Sequence, residues 1–143
     1  MAARYVPSTI RYWGDGEQPC DFTTTDDTAA YVAAATTDSN MASRTLKVAG
    51  DVLSMKGAIN AYQRATGKKL TDQRKGSVEE LRAWIEDKKR TAQSPLEYVF
   101  QQYHWAMVSG KSKIEPLDNG RYPHIRPKTV EEYVEGARPA IKK

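Results

Sequence analysis

The period of hydrophobic and polar positions changes several times along the chain, and each change marks an element. Ser8-Thr9-Ile10-Arg11-Tyr12-Trp13 is rich in β-formers and stops at Gly14-Asp15-Gly16, which predicts a strand and a turn. A polar stretch, Asp21 to Thr25, then leads to a helix starting at Asp26 or Asp27, whose carboxylates suit an N-cap and the first-turn dipole. This helix runs from Ala29 to Thr36. Its alanines, Ala29, Ala30, Ala33, Ala34 and Ala35, predict a small-residue face lying close to a sheet. Alternation of Leu46 and Val48 predicts a short strand over Thr45–Ala49, ended by Gly50-Asp51. Ser54 then caps a helix with Met55, Ala58, Ile59 and Tyr62 at i, i+3, i+4, i+7, and Gly67 terminates it. Lys68 to Arg74 reads as a weak strand.

Three further helices begin with a Ser/Thr-x-x-Glu box, in which two orphan amide groups are satisfied reciprocally: Ser77 with Glu80, Ser94 with Pro95 and Glu97, and Thr129 with Glu132. The Ser77 helix offers Val78, Leu81, Trp84 and Ile85 for burial. The Ser94 helix, the most hydrophobic element, offers Leu96, Val99, Phe100, Tyr103, Met107 and Val108 before Gly110 stops it. Between Lys111 and Lys128 lies an irregular segment with three prolines, of the kind that serves as a functional loop or a surface wrap. Strand, helix, strand, helix, then helices only predicts an α/β fold: a partial parallel sheet, the end of a Rossmann-type sheet, followed by a C-terminal helical lobe.

Composition tempers that picture. Hydrophobic residues make up 39% of 143 positions, but 17 of them are Ala, and Val, Ile, Leu and Phe together supply only 23 residues. The net charge of +4 is too small for disorder, so the chain reads as one globular domain with a lean core. There is no apolar run of 18 residues and no signal-peptide stretch after Met1. Cys20 is the one cysteine, without an internal disulfide partner. These features predict a soluble chain without a membrane contact, in the cytoplasm or nucleus. Its basic groups, Lys68-Lys69, Arg74-Lys75, Lys88-Lys89-Arg90, Arg138, Lys142 and Lys143, are interleaved with Glu79, Glu80, Glu86 and Asp87. Mixed signs describe a solvated face better than a nucleic-acid interface.

Most familiar chemistry fails on context. Gly14-x-Gly16 resembles the start of a dinucleotide fingerprint, but the third position is Pro19 and no helix follows for about ten residues. None of the eight tyrosines has lysine at i+4, which excludes the Tyr-x-x-x-Lys reductase pair. His104 and His124 have no companion ligand at metal spacing and no Gly-x-Ser-x-Gly elbow to serve. Asp21, Asp26 and Asp27 are read as caps, two of them, before a cation site. Trp13, Phe100, Tyr103 and Trp105 are read as packing aromatics before a ligand box, and His104 as a packed or half-exposed histidine.

Taken in order, however, several segments resemble the C-terminal half of NmrA-like proteins, an atypical branch of the short-chain dehydrogenase/reductase superfamily that includes redox-sensing regulators and isoflavone-reductase-like enzymes. The resemblance is carried by Tyr12-Trp13-Gly14-Asp15-Gly16, Thr24-Thr25-Asp26-Asp27-Thr28-Ala29 with Val32-Ala33, and Val48-Ala49-Gly50-Asp51 before Leu53-Ser54. Thr66-Gly67-Lys68, Gly76-Ser77 with Glu80-Leu81, and Leu117-Asp118-Asn119-x-Arg121-Tyr122 ahead of Pro127-x-Thr129-Val130 continue it. One departure is Gly57, which stands where a capping glutamate is expected after Ser54.

The resemblance implies a parent of about twice this length, whose N-terminal Rossmann half carries the glycine-rich loop, NADP or NAD, and any catalytic lysine or tyrosine. No position here matches those residues, so no catalytic and no cofactor-binding residue is assigned, and no cofactor is expected on this chain alone. Tyr12, Trp13, Phe100, Tyr103 and His104 become candidates for substrate-pocket walls. The strand Leu46–Ala49 would join the parental sheet, with only Ile10–Trp13 and Lys68–Arg74 as partners here. An unpaired strand edge predicts self-association, marginal stability or a separately encoded Rossmann half. The alternatives are an interaction module docking a transcriptional regulator, and a gene fragment with no independent role.

Overall fold

The computed structural model describes residues 9–141, so Ser8 and the tail's Lys142 and Lys143 fall outside it. Strand β1 (Thr9–Trp13) pairs in parallel with β4 (Thr71–Gly76), Thr9 opposite Thr71 and Tyr12 opposite Arg74. The register slips after Tyr12 and sets Trp13 opposite Gly76. The residue at 76 has to be small: a Cβ there would come within 2.8 Å of Trp13 Cζ3. Between the two parallel strands the chain forms β2 (Cys20–Phe22), α1 (Thr25–Thr37), β3 (Asp51–Leu53) and α2 (Met55–Thr66). After them come α3 (Val78–Thr91), α4 (Val99–Val108) and α5 (Val130–Ile141). The α/β expectation of a partial parallel sheet with a C-terminal helical lobe holds.

Helix starts follow local chemistry, with two corrections. Ser77 and Glu80 exchange both bonds of the capping box at α3, and Thr129 with Glu132 does the same before α5. Ser54 accepts from the Gly57 amide at α2, and Gly67 ends that helix in the left-handed region at φ 69°. At α1 the cap is Thr24, which accepts from the Asp27 amide, rather than either aspartate. Asp27 is buried instead, its carboxylate accepting from the Thr24 hydroxyl and the Lys128 amide. The Ser94 box opens only a 3-10 turn, Pro95–Glu97. Tyr98, at φ −131°, breaks the run, so α4 begins at Val99.

The sheet also differs from expectation. Residues 45–49 are not a strand, and the β-structure lies two residues later, where β3 pairs antiparallel with β2 outside the parallel sheet. Side chains occupy the ladder positions of 45–49. The Lys47 amide donates to Asp118 Oδ2 at 2.9 Å, the Ala49 amide donates to Asn119 Oδ1 at 3.1 Å, and Asn119 Nδ2 returns a bond to Ala49 O. The proline-containing segment 111–128 is therefore a surface wrap, held also by Lys113 and the Ile114 amide on Asp21.

The core is small: Leu81 and Ile85 on α3, Ile59, Ala61 and Ala65 on α2, and Tyr31 packed near Tyr122. Helix α2 packs on α5, and α3 on α4. The alanine face of α1 does not lie on a sheet, since Ala29, Ala30 and Ala33 are exposed and Tyr31 supplies the buried contact. Trp84, expected inside, is 38% exposed.

Candidate functional site

The turn after β1 lies at the carboxyl ends of both parallel strands, where open α/β sheets place their ligands. Gly14 and Gly16 have φ of 78° and 79°, a region that glycine enters without steric cost. The Gly14 amide donates to Gly76 O at 2.9 Å, Arg74 Nε donates to Gly14 O at 2.7 Å, and the Lys56 amide donates to Gly16 O at 3.1 Å. The turn is thereby tied to β4 and to the start of α2.

Two recesses flank it. One is an apolar cavity of about 80 Å³ walled by Trp13, Cys20, Met55, His104, Met107 and Val108. The other, about 430 Å³, is an open cleft whose wall includes Asp15, Glu17, Arg74, Ser77 and Glu79 beside Val78 and Val108. They share Gly14, Asp15, Gln18 and Val108, so the small cavity adjoins the large cleft. Burial, with the Asp21 charge behind it, pushes the Cys20 thiol above its ordinary value, which keeps it a protonated, weakly reactive group. The thiol lies 3.8 Å from Met107 O and 3.6 Å from Gln18 O. Burial and the bond to Asp72 likewise raise the Tyr12 phenol.

The five candidate wall residues separate into three groups. Trp13 and His104 line the same cavity, brought together from β1 and α4. Tyr12 is buried behind the turn, where its ring edge packs against Gly16 and its hydroxyl donates to Asp72 at 3.0 Å; it lines neither recess. Phe100 and Tyr103 are 69% and 64% exposed and also line neither. Cys20, Met55 and Met107 were not identifiable as wall residues from the sequence. The Gly14-x-Gly16 turn was the one local signal for this place.

The donors present do not fit a dinucleotide pyrophosphate. That group is held at a helix N-terminus by free amides and a favourable field, but at α3 the Ser77 and Glu80 amides already donate within the capping box, and the carboxylates of Asp15, Glu17 and Glu79 line the same cleft and repel an anion. A larger recess of about 450 Å³ opens between the starts of α1 and α5, away from the parallel strands. At its helix ends the Asp27, Thr129 and Val130 amides already donate, to Thr24, Glu132 and Asp51. Asp21 is engaged by Lys113 and the Ile114 amide and Asp27 by hydroxyl and amide donors, while Asp26 and Asp27 lie in the first turn of α1 rather than at its cap. Among the described residues no group of three or more His, Cys, Asp or Glu is placed to hold a metal, and no helix is long and apolar enough to cross a membrane.

A parallel strand pair with recesses at its carboxyl ends and a helical lobe beside them defines a Rossmann-like α/β unit. The chain belongs to the NmrA-like family, whose model matches residues 7–134. Among solved structures it is similar to a crystal structure of isoflavone reductase (TM-score 0.71, 20% identity), with 94% of this chain covering 45% of that one. It is also similar to AtPrR2 in its apo form (0.68, 17%, 91% covering 44%). A third is AtPrR2 with NADP+ and (+)pinoresinol (0.69, 21%, 89% covering 41%). The chain thus spans less than half the length of these structures. No curated protein matches it in sequence.

Proposed function

We propose that this chain forms the substrate-facing side of an NmrA-like, NAD(P)-dependent reductase or redox-sensing regulator, and that it neither binds the dinucleotide nor catalyses reduction alone. The observation that carries the reading is the pair of recesses at the ends of β1 and β4, walled by apolar groups on one side and carboxylates on the other. One structural neighbour holds NADP+ together with (+)pinoresinol in a chain more than twice as long, which supports a division between a nucleotide side and a substrate side. In this proposal a Rossmann half supplied by other sequence binds NADP or NAD. Calorimetric titration of the 143-residue chain with NADP and with NAD tests it. No heat of binding at millimolar nucleotide is expected, and micromolar affinity would overturn the reading.

A second reading, an interaction module for a regulator protein, draws on Leu96, Phe100 and Tyr103, three large side chains within eight residues that are mostly solvent-exposed. Pull-down from lysate with wild type and with Phe100→Ser plus Tyr103→Ser separates the two. Loss of a specific partner in the double variant favours the interaction module.

A further inference from the structure

The extended segment 45–49 has two edges, and only one is occupied. In an extended chain alternate residues direct their N–H and C=O groups to opposite edges. Lys47 and Ala49 are satisfied on theirs. The side chains of Asp118 and Asn119 accept from the two amides, and the Asp118 amide and Asn119 Nδ2 donate to the two carbonyls, at distances between 2.6 and 3.1 Å. The groups of Leu46 and Val48 point the other way, and among the described residues none of them has a hydrogen-bond partner. Farther along this second edge the Gly50 amide donates to Phe22 O at 2.8 Å, so β2 covers it there, but β2 ends at Phe22 and the chain turns into α1. Leu46 and Val48 are left with a bare edge in the row that β2 begins.

The surroundings suit a strand. Leu46 and Val48 are partly exposed and line a recess of about 330 Å³ together with Val32, Ala35 and Met41. Val32 is 57% exposed, and Ala29 and Ala33 beside it on α1 are uncovered as well. An unpaired main-chain edge is a template for another strand.

Two observations select the occupant. β2, in the same row, runs antiparallel to β3, and antiparallel pairing is the more stable kind. An incoming antiparallel strand forms hydrogen-bonded pairs with Leu46 and Val48 and sets one residue between them, opposite Lys47. The second observation is charge. Lys47 Nζ donates to the Glu115 carbonyl, Arg44 lines the recess, and among the described residues neither is paired with a carboxylate. A second copy of this chain in that register would set lysine against lysine, which is destabilising, whereas an acidic residue opposite Lys47 is favourable.

We propose that the free edge of 45–49 is a docking site for an extended segment of a partner chain that alternates apolar and acidic residues. Its apolar residues pair with Leu46 and Val48 on the side of α1, and its acid stands opposite Lys47. This site is separate from the recesses at Gly14, so its test is independent of the NADP and NAD titration.

Amide hydrogen exchange of the full chain, resolved by NMR, is measured with and without blocked heptapeptides. In the free chain the Leu46 and Val48 amides are expected to exchange about tenfold faster than those of Lys47 and Ala49. A peptide alternating valine and glutamate slows exchange at Leu46 and Val48 saturably. It binds about two- to fivefold more tightly than its valine–lysine counterpart, the ratio that one cross-strand ion pair supplies, and in Lys47→Glu that order reverses. N-methylation of the valines, whose amides face the edge, abolishes binding, while N-methylation of the glutamates, whose amides face away, leaves it unchanged. Binding indifferent to which amides are methylated, or exchange at Leu46 and Val48 unaltered by either peptide, overturns the proposal. Slowing that grows with protein concentration in the absence of peptide places a second copy on this edge and overturns it as well.

Discussion

Asp27 is a buried carboxylate. Only 8% exposed, it joins the start of α1 to the segment before α5 through the Thr24 hydroxyl at 2.7 Å and the Lys128 amide at 3.0 Å. Asp27→Ala removes an acceptor from two partly buried donors. Hydrogen bonds to a charged group contribute about 1.5–3 kcal/mol each, so a loss of roughly 3–6 kcal/mol is expected by urea denaturation. Asp38 acts similarly from the other end of α1, and the Arg121 guanidinium, with help from the Asn40 amide and the Tyr122 hydroxyl, holds its carboxyl below the ordinary 3.8. Below that ordinary value the unfolded chain takes up the proton while the folded chain resists it. Stability from this site is therefore fully present above about pH 4 and is lost as pH falls through the lowered folded value. Asp38→Asn should flatten the acid limb of a pH–stability profile and leave its dependence between pH 6 and 8 unchanged.

At the scale of elements, burial rather than hydrophobicity decides which helices carry the fold. Leu81 on α3 has no exposed surface, so Leu81→Ala should cost about 2–5 kcal/mol. Phe100→Ser on α4, the more hydrophobic helix, should stay within about 0.5 kcal/mol of wild type because its ring is largely in solvent. Thermal or urea unfolding of the two variants side by side checks both. The same distinction explains what could be read from the residues alone. Capping boxes at Ser77 and Thr129 and the Gly67 terminator are local, and the structure realises them as written. The strand assigned to 45–49 failed because its backbone partners are the side chains of Asp118 and Asn119, about 70 residues away. The family resemblance made the aromatic groups of α4 candidates for a cavity wall, but Tyr98 breaks the helix start and Phe100 and Tyr103 emerge in solvent, leaving His104 beside Trp13. Met55 and Cys20 reach that cavity only through the turn at Gly14 and Gly16, which no helical or strand period announces.

For the molecule as a whole, the recurring observation is a small sheet. Two parallel strands, β1 and β4, form one ladder and two short antiparallel strands another, whereas parallel sheets are stable chiefly when extended and covered on both faces. The side chains of β4 from Thr71 to Lys75 are exposed, and large apolar groups remain uncovered on α3 and α4. In the proposed division between a nucleotide side and a substrate side, this unit shares its sheet with further sequence. Size-exclusion chromatography with light scattering, followed by calorimetric melting of the same sample, tests this most directly. The account predicts a species heavier than the 16.0 kDa chain, or a broad transition without two-state agreement. A 16.0 kDa monomer that melts in one sharp two-state transition would contradict it.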